Sequence, residues 1–289
     1  MARSVGGNSG GGSASGEAKV MKSFPAFGIL LKSPSKRGAL FSLLEKNSGL
    51  PGPRANLELG YSFARAVASQ KQLKEWQWEM VLSMATRSAA RAPKNSKKEY
   101  VSLCAVLALG TLYTAGLPRP RKRAALAAIR TAASDPRWRT REASAMALQL
   151  IGEADRDALR QIVEQWLPAS SLLEKRAIVA GLAHAPILGD KSFALYCLEV
   201  TASILKALSG IGAGERRSEE FRVLRQGLGY AISVFVEKAP AEGFALLREA
   251  AGSADHDVQW IVRENLKKSR IASRYPLEVQ VVASVLPGK

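Results

Sequence analysis

Asp135-Pro136-Arg137-Trp138-Arg139-Thr140-Arg141-Glu142 reappears downstream as Asp257-Val258-Gln259-Trp260-Ile261-Val262-Arg263-Glu264. Both stretches obey D-x-x-W-x-x-R-E, and their starts lie 122 residues apart. That interval is close to three units of about 40–47 residues, a period typical of paired-helix repeats. In each copy the Asp can cap a helix and the Arg follows six positions later. This implies a recurring turn chemistry rather than a shared active site.

The surrounding chain reads as helical throughout. Ala is abundant, aromatics are sparse, and the apolar stretches lack period-two alternation. Helix-length segments are expected at 35–47, 54–69, 72–90, 97–115, 120–134 and 136–151. The second half gives 155–166, 170–184, 190–208, 217–238, 241–252, 257–270 and 276–286. Leu50-Pro51-Gly52-Pro53-Arg54 and Leu117-Pro118-Arg119-Pro120-Arg121 share the pattern L-P-x-P-R, whose second Pro suits a first helical turn. Asp135-Pro136 offers a capping oxygen followed by a Pro suited to the first helical position, and Asp257 a second cap. Tyr100 to Leu107 and Phe193 to Val200 are apolar around much of their circumference, so those helices need neighbours on more than one side. Paired off, the segments make an all-α, right-handed α-solenoid of about six helix pairs over residues 23–289. Residues 1–22, rich in Gly and Ser, read as a disordered tail.

The D-x-x-W-x-x-R-E stretches resemble the second-helix region of HEAT repeats, an armadillo-type fold, in which a turn Asp is followed six residues on by an Arg. The resemblance implies a hydrogen-bonded ladder running from repeat to repeat, carried here by Asp135 with Arg141 and Asp257 with Arg263. Trp138 and Trp260 then read as packing anchors. A narrower likeness covers about a dozen residues: Val258 to Lys268 is similar to the late helices of DNA alkylation-repair glycosylases of the AlkD type. Those enzymes use concave aromatics with an Asp one turn after a Trp. Here Glu142 and Glu264 stand four residues after Trp138 and Trp260, and no Asp follows any of the five tryptophans at that spacing.

Charge is the clearest pointer to a partner. The chain carries a formal net charge of +17. Ten basic residues and one acid, Glu99, lie between positions 80 and 134, so this stretch holds more than half of the excess. Arg91, Lys94, Lys97 and Lys98 cluster at one inter-helix turn; Arg119, Arg121, Lys122 and Arg123 cluster at a helix start. Stacking is expected to bring several of these to one edge. Arg263, Lys267, Arg270 and Arg274 follow at spacings of 4, 3 and 4, which one helical face would share. Such patches suit a nucleic-acid backbone, where phosphate contacts give affinity without base reading. The alternative is an ordinary solvated surface.

Catalytic signals are sparse. His184 and His256 have no companion at metal-ligand spacing. Gly210-Ile211-Gly212-Ala213-Gly214 lacks the Lys of a phosphate loop, and no Ser nucleophile elbow is present. Cys104 and Cys197 lie in apolar runs and read as buried thiols. No run is long enough to span a membrane. The expectation is a cytoplasmic, non-catalytic binding scaffold without cofactor or metal, engaging nucleic acid or an acidic protein. The alternatives are an AlkD-like glycosylase and a purely protein-binding scaffold.

Overall fold

The computed structural model describes residues 26–287, so the expected Gly/Ser tail lies outside the described residues. Among them are fifteen α-helices, four short 3-10 turns and no strand. In chain order the first seven are α1 (Ala26–Leu30), α2 (Arg37–Lys46), α3 (Leu57–Ala68), α4 (Glu75–Ala85), α5 (Lys97–Thr114), α6 (Arg119–Ala133) and α7 (Trp138–Ala154). Then follow α8 (Arg156–Trp166), α9 (Leu172–Leu182), α10 (Lys191–Leu208), α11 (Glu219–Val236), α12 (Pro240–Ala251), α13 (His256–Leu266), α14 (Ser269–Ala272) and α15 (Pro276–Val285). No helix among the described residues is long and apolar enough to cross a membrane.

Side-chain oxygens start most of the longer helices. Asn56, Ser96, Asp155, Ser171, Asp190 and Ser218 each accept a backbone N–H from inside the first turn of the helix that follows. Ser171 and Glu174 complete a reciprocal capping box. Two expected caps are displaced. Asp255, not Asp257, caps α13, accepting from the N–H groups of Asp257 and Val258. Asp135 and Pro136 precede Arg137, the residue at the N-cap of α7, so Pro136 lies outside the helix. Pro53 also falls short of a helix, since α3 begins at Leu57.

Two expected helices are shorter than their patterns. The 72–90 segment ends at Ala85, and the chain turns at Thr86. The 257–270 segment breaks between Leu266 and Ser269. Leu266 and Ile271 are both buried. In one continuous helix, five residues would turn them about 140° apart, and the break lets both reach the core.

Packing follows alternation along the chain. α5 packs against α3 and α7, α9 against α7 and α11, and α11 against α13. Each even-numbered helix contacts at least one chain neighbour, and α4 touches α6 as α10 touches α12. The α5–α7 crossing is unusually close: a Cβ on Gly110 would stand 2.7 Å from Ala147 Cα and 2.8 Å from its carbonyl oxygen. Glycine is what lets the two backbones meet there. α5, apolar on nearly all sides, is buried along most of its length, and a continuous core runs from Phe27 to Val282.

Candidate nucleic-acid interface

The turns are stitched to one another in two separate sets. In the first, Gly52 N–H donates to Asn95 Oδ1 (3.4 Å), Arg139 Nη2 donates to the Gly52 carbonyl (2.5 Å), and Arg137 donates to the carbonyls of Arg87 (2.8 Å) and Ala92 (3.2 Å). Arg130 binds the Ala169 carbonyl (3.0 Å) and Glu174 (2.7 Å), while Arg216 binds Asp255 (2.6 Å) and Asp257 (2.7 Å). In the second set, Arg121 binds the Leu73 carbonyl and Glu75, Arg156 binds Asp190, His184 binds Glu153 (2.5 Å), and Arg274 binds Glu237 (2.7 Å).

These bonds correct the expected ladder. The Asp135 carboxylate receives the backbone N–H and guanidinium of Arg137, two residues on, not the side chain of Arg141. Arg141 instead donates to the backbone carbonyls of Asp135 and Pro136 and pairs with Glu219 at 2.9 Å. Asp257 pairs with Arg216 and Arg225, while Arg263 reaches the Pro287 carbonyl at 3.0 Å. The spacing of six does link residue 141 to residue 135, but through main chain. Apart from Asp135 with Arg137, the ionic links of the motif residues run to side chains outside the motif.

The basic residues divide by what they touch. Arg121 donates to the Leu73 carbonyl, pairs with Glu75 and stacks over Trp78 at 5.6 Å, so it joins α6 to α4. Lys122 lies over Tyr113 at 5.3 Å. Lys267 pairs with Glu264 at 2.6 Å, Arg270 binds and stacks on Tyr230, and Arg274 is held by Glu237. The helix break after Leu266 also takes Arg263, Lys267, Arg270 and Arg274 off a common helical face. By contrast, Arg91, Lys94, Lys97, Lys98, Arg119 and Arg123 are exposed and make no ion pair among the described residues.

The two uncompensated clusters do not share an edge. Residues 91–98 lead into the first turn of α5, and 119–123 follow its last turn. α5 has 18 residues, so about 27 Å of helix separates them. Both clusters set cations at helix N-termini, where the peptide dipoles favour anions. α6 has four basic residues in its first five and no acid in its first turn. Fold contacts account for Arg121 and Lys122 but not for Arg119 and Arg123, whose charge an anionic partner would relieve. Arg37 and Arg87, which the sequence reading did not single out beside Arg91, line one cavity with it, of about 490 Å³. Arg37 is 50 positions from Arg87, too distant for any local pattern to join them.

Trp138 is 43% exposed and stacked on Arg139 at 4.3 Å, so it is no packing anchor. Trp260 is half-buried beneath Arg225. The fully enclosed tryptophans are Trp78 and Trp166. Trp138, Arg139, Glu142 and Met146 line a second cavity of about 260 Å³ with Leu57 and Leu103. Glu142 in that wall is paired with Arg176 at 2.5 Å.

Other reactive groups are quenched. Burial pushes the Cys104 thiol up to about 12 and moves Cys197 the same way, so neither is a thiolate near neutral pH. No group of three or more metal-ligating side chains occurs among the described residues. No protein-family model matches this chain, and no curated protein or solved structure matches it significantly.

Proposed function

We propose that the chain is an α-solenoid of six HEAT-like helix pairs that binds nucleic acid without catalysis, through the edge formed by Arg91, Lys94, Lys97 and Lys98. The pairs are α2/α3, α4/α5, α6/α7, α8/α9, α10/α11 and α12/α13. Their second members pack in succession, as stacked repeats do. The observation that carries the functional reading is the local run of free cations: Arg91, Lys94, Lys97 and Lys98 are all exposed and outside any ion pair among the described residues, whereas arginines such as Arg121, Arg130, Arg137, Arg139 and Arg216 are tied to a carboxylate or carbonyl. They sit beside a helix N-terminus, so both charge and backbone dipole favour phosphate.

The test is fluorescence anisotropy of mixed-sequence duplex DNA across a salt series. Wild-type affinity is expected to fall by about 0.9 log units per log unit of salt for each phosphate neutralised. Lys94→Ala, Lys97→Ala and Lys98→Ala together are expected to flatten that slope, with the melting temperature held. No binding at low salt would remove this reading and leave a protein-binding scaffold.

One observation favours a second reading, the AlkD-like glycosylase: an exposed Trp138 and the carboxylate-bearing Glu142 line one cavity. Release of alkylated bases that Glu142→Gln abolishes, with DNA binding retained, would establish it. Unchanged release in that variant, or none in the wild type, would dismiss it.

A further inference from the structure

The cavity at the end of α4 has an unusual lining: Arg37, Ser83, Thr86, Arg87, Ser88 and Arg91. That is three guanidinium groups, three hydroxyls and no carboxylate, around about 490 Å³ of space. None of the three arginines forms an ion pair among the described residues. Like charges have been gathered with no carboxylate in the lining.

The gathering is rigidly held. Phe41, one turn beyond Arg37 on α2, lies beneath both Arg37 (5.3 Å) and Arg87 (5.2 Å). Arg37 Nη2 also donates to Ser83 Oγ at 2.9 Å. From behind, the buried Arg137 donates to the carbonyls of Arg87 and Ala92, bracketing the turn that carries Arg91, while Asp135 neutralises Arg137 itself at 2.6 Å. Two of the three guanidinium planes are thus oriented before any ligand arrives, which lowers the ordering cost of binding. Burial lowers the Arg87 pKa; Arg37, Arg137 and Arg91 push the same way, and only Glu45 opposes them. A dianion in the cavity would remove that repulsion.

We infer that Arg37, Arg87 and Arg91 form a binding site for the phosphate monoester of a nucleotide, either free or at the end of a strand. A monoester offers three terminal oxygens and close to two charges, which three guanidinium groups can meet with charge-assisted bonds. An internal phosphodiester offers two such oxygens and one charge. A nucleotide is favoured over a phosphorylated side chain because three more exposed cations outside any ion pair among the described residues, Lys94, Lys97 and Lys98, follow Arg91 closely in the chain. A strand whose phosphorylated end enters the cavity would lay its following phosphates along them.

Calorimetric titration with inorganic phosphate in chloride buffer reads the pocket directly. One site is expected, weakened at least tenfold in Arg87→Gln and in Arg91→Gln. The Arg91 variant guards against misfolding, because that side chain makes no hydrogen bond or ion pair among the described residues. Phosphate affinity equal in wild type and both variants, or no phosphate binding at all, would overturn the assignment. Two further probes identify the source. A tenfold preference for a 5′-phosphorylated over a 5′-hydroxyl oligonucleotide, lost in Arg91→Gln, supports a strand end. Adenosine monophosphate binding through Arg91 without that preference supports a free nucleotide. A phosphoserine peptide that binds through Arg91 where both nucleotide probes fail would overturn the nucleotide assignment. The pocket does not depend on the backbone reading: failure of unphosphorylated duplex to bind would remove that reading and leave phosphate binding untouched.

Discussion

Arg137 is the residue on which the first set of turns depends. Its side chain is 1% exposed, yet it satisfies Asp135, two carbonyls of the 87–92 turn and, at 3.5 Å, Ser102 Oγ. Arg137→Met would leave Asp135 with only the backbone N–H of residue 137 and the two carbonyls without their guanidinium donor, and breaking a buried pair of this kind costs about 3–5 kcal/mol. The midpoint of urea unfolding checks this; a variant within experimental error of wild type would show the network to be dispensable. Asp255 gives a pH-dependent counterpart. The Arg216 side chain, first, and the N–H groups of Asp257 and Val258 hold its carboxyl below the usual carboxylate range. A folded pKa below the unfolded value of about 3.9 means that stability is present above pH ~4 and is lost as pH falls through the depressed value. Asp255→Ala is expected to lose about 0.5–2 kcal/mol of capping at neutral pH and to flatten the acid limb of stability against pH. Neither role was legible in the spacing of the motif. Asp135, Arg141, Asp257 and Arg263 are spaced like a ladder, but a carboxylate bonds whichever donor the local backbone brings nearest, and here those donors are Arg137, Arg216 and Arg225.

At the scale of elements, Gly110 tests the α5–α7 contact. Gly110→Ala places a methyl group inside van der Waals distance of Ala147 backbone, where nothing can swing aside. Overpacking of this kind costs about 1–3 kcal/mol, although alanine is the better helix former in isolation. Gly212→Ala, with no atom near its added methyl, serves as the control. Thermal melts of the two variants should separate clearly; equal melting temperatures would mean that α5 and α7 can move apart at little cost. The helices themselves were largely legible, because their caps and apolar runs are local. α2 to α12 fall within a few residues of the segments marked by composition. The exceptions are instructive. α1 had no periodic signal, and Phe27 is drawn under α3 by contact with Phe63 at 5.6 Å between ring centroids. The break after Leu266 depends on where the core lies, which no window of neighbouring residues contains.

For the whole molecule, the distance between charge clusters matters more than their number. The cluster before α5 and the cluster after it belong to opposite ends of one buried helix, and Arg121 in the latter is occupied in holding α6 to α4. If the 91–98 edge grips the backbone, Arg119→Ala with Arg123→Ala should alter the salt dependence of DNA binding less than the lysine triple variant does. Arg121→Ala should act chiefly on the melting temperature, since it removes an ion pair and a stacking contact. A larger loss of DNA affinity from the Arg119 and Arg123 changes than from the lysines would move the interface to the other edge.

The sequence by itself determined the class of fold, the placement of most helices and the excess of positive charge. These follow from composition, from capping side chains a few residues from their acceptors, and from apolar runs that one helix cannot bury. Which carboxylate meets which arginine, which tryptophan is covered, and which cations remain free was decided only by tertiary structure. The reason is physical. An arginine's side chain reaches several ångströms and bonds to whatever acceptor the fold places there, so Arg37, Arg87 and Arg91 become one pocket only when the fold brings Arg37 to Ser83 and Phe41 beneath Arg87. Arg121 stands in the same basic run as Arg119 and Arg123, and only the approach of Glu75 and Trp78 makes it part of the fold rather than part of the surface.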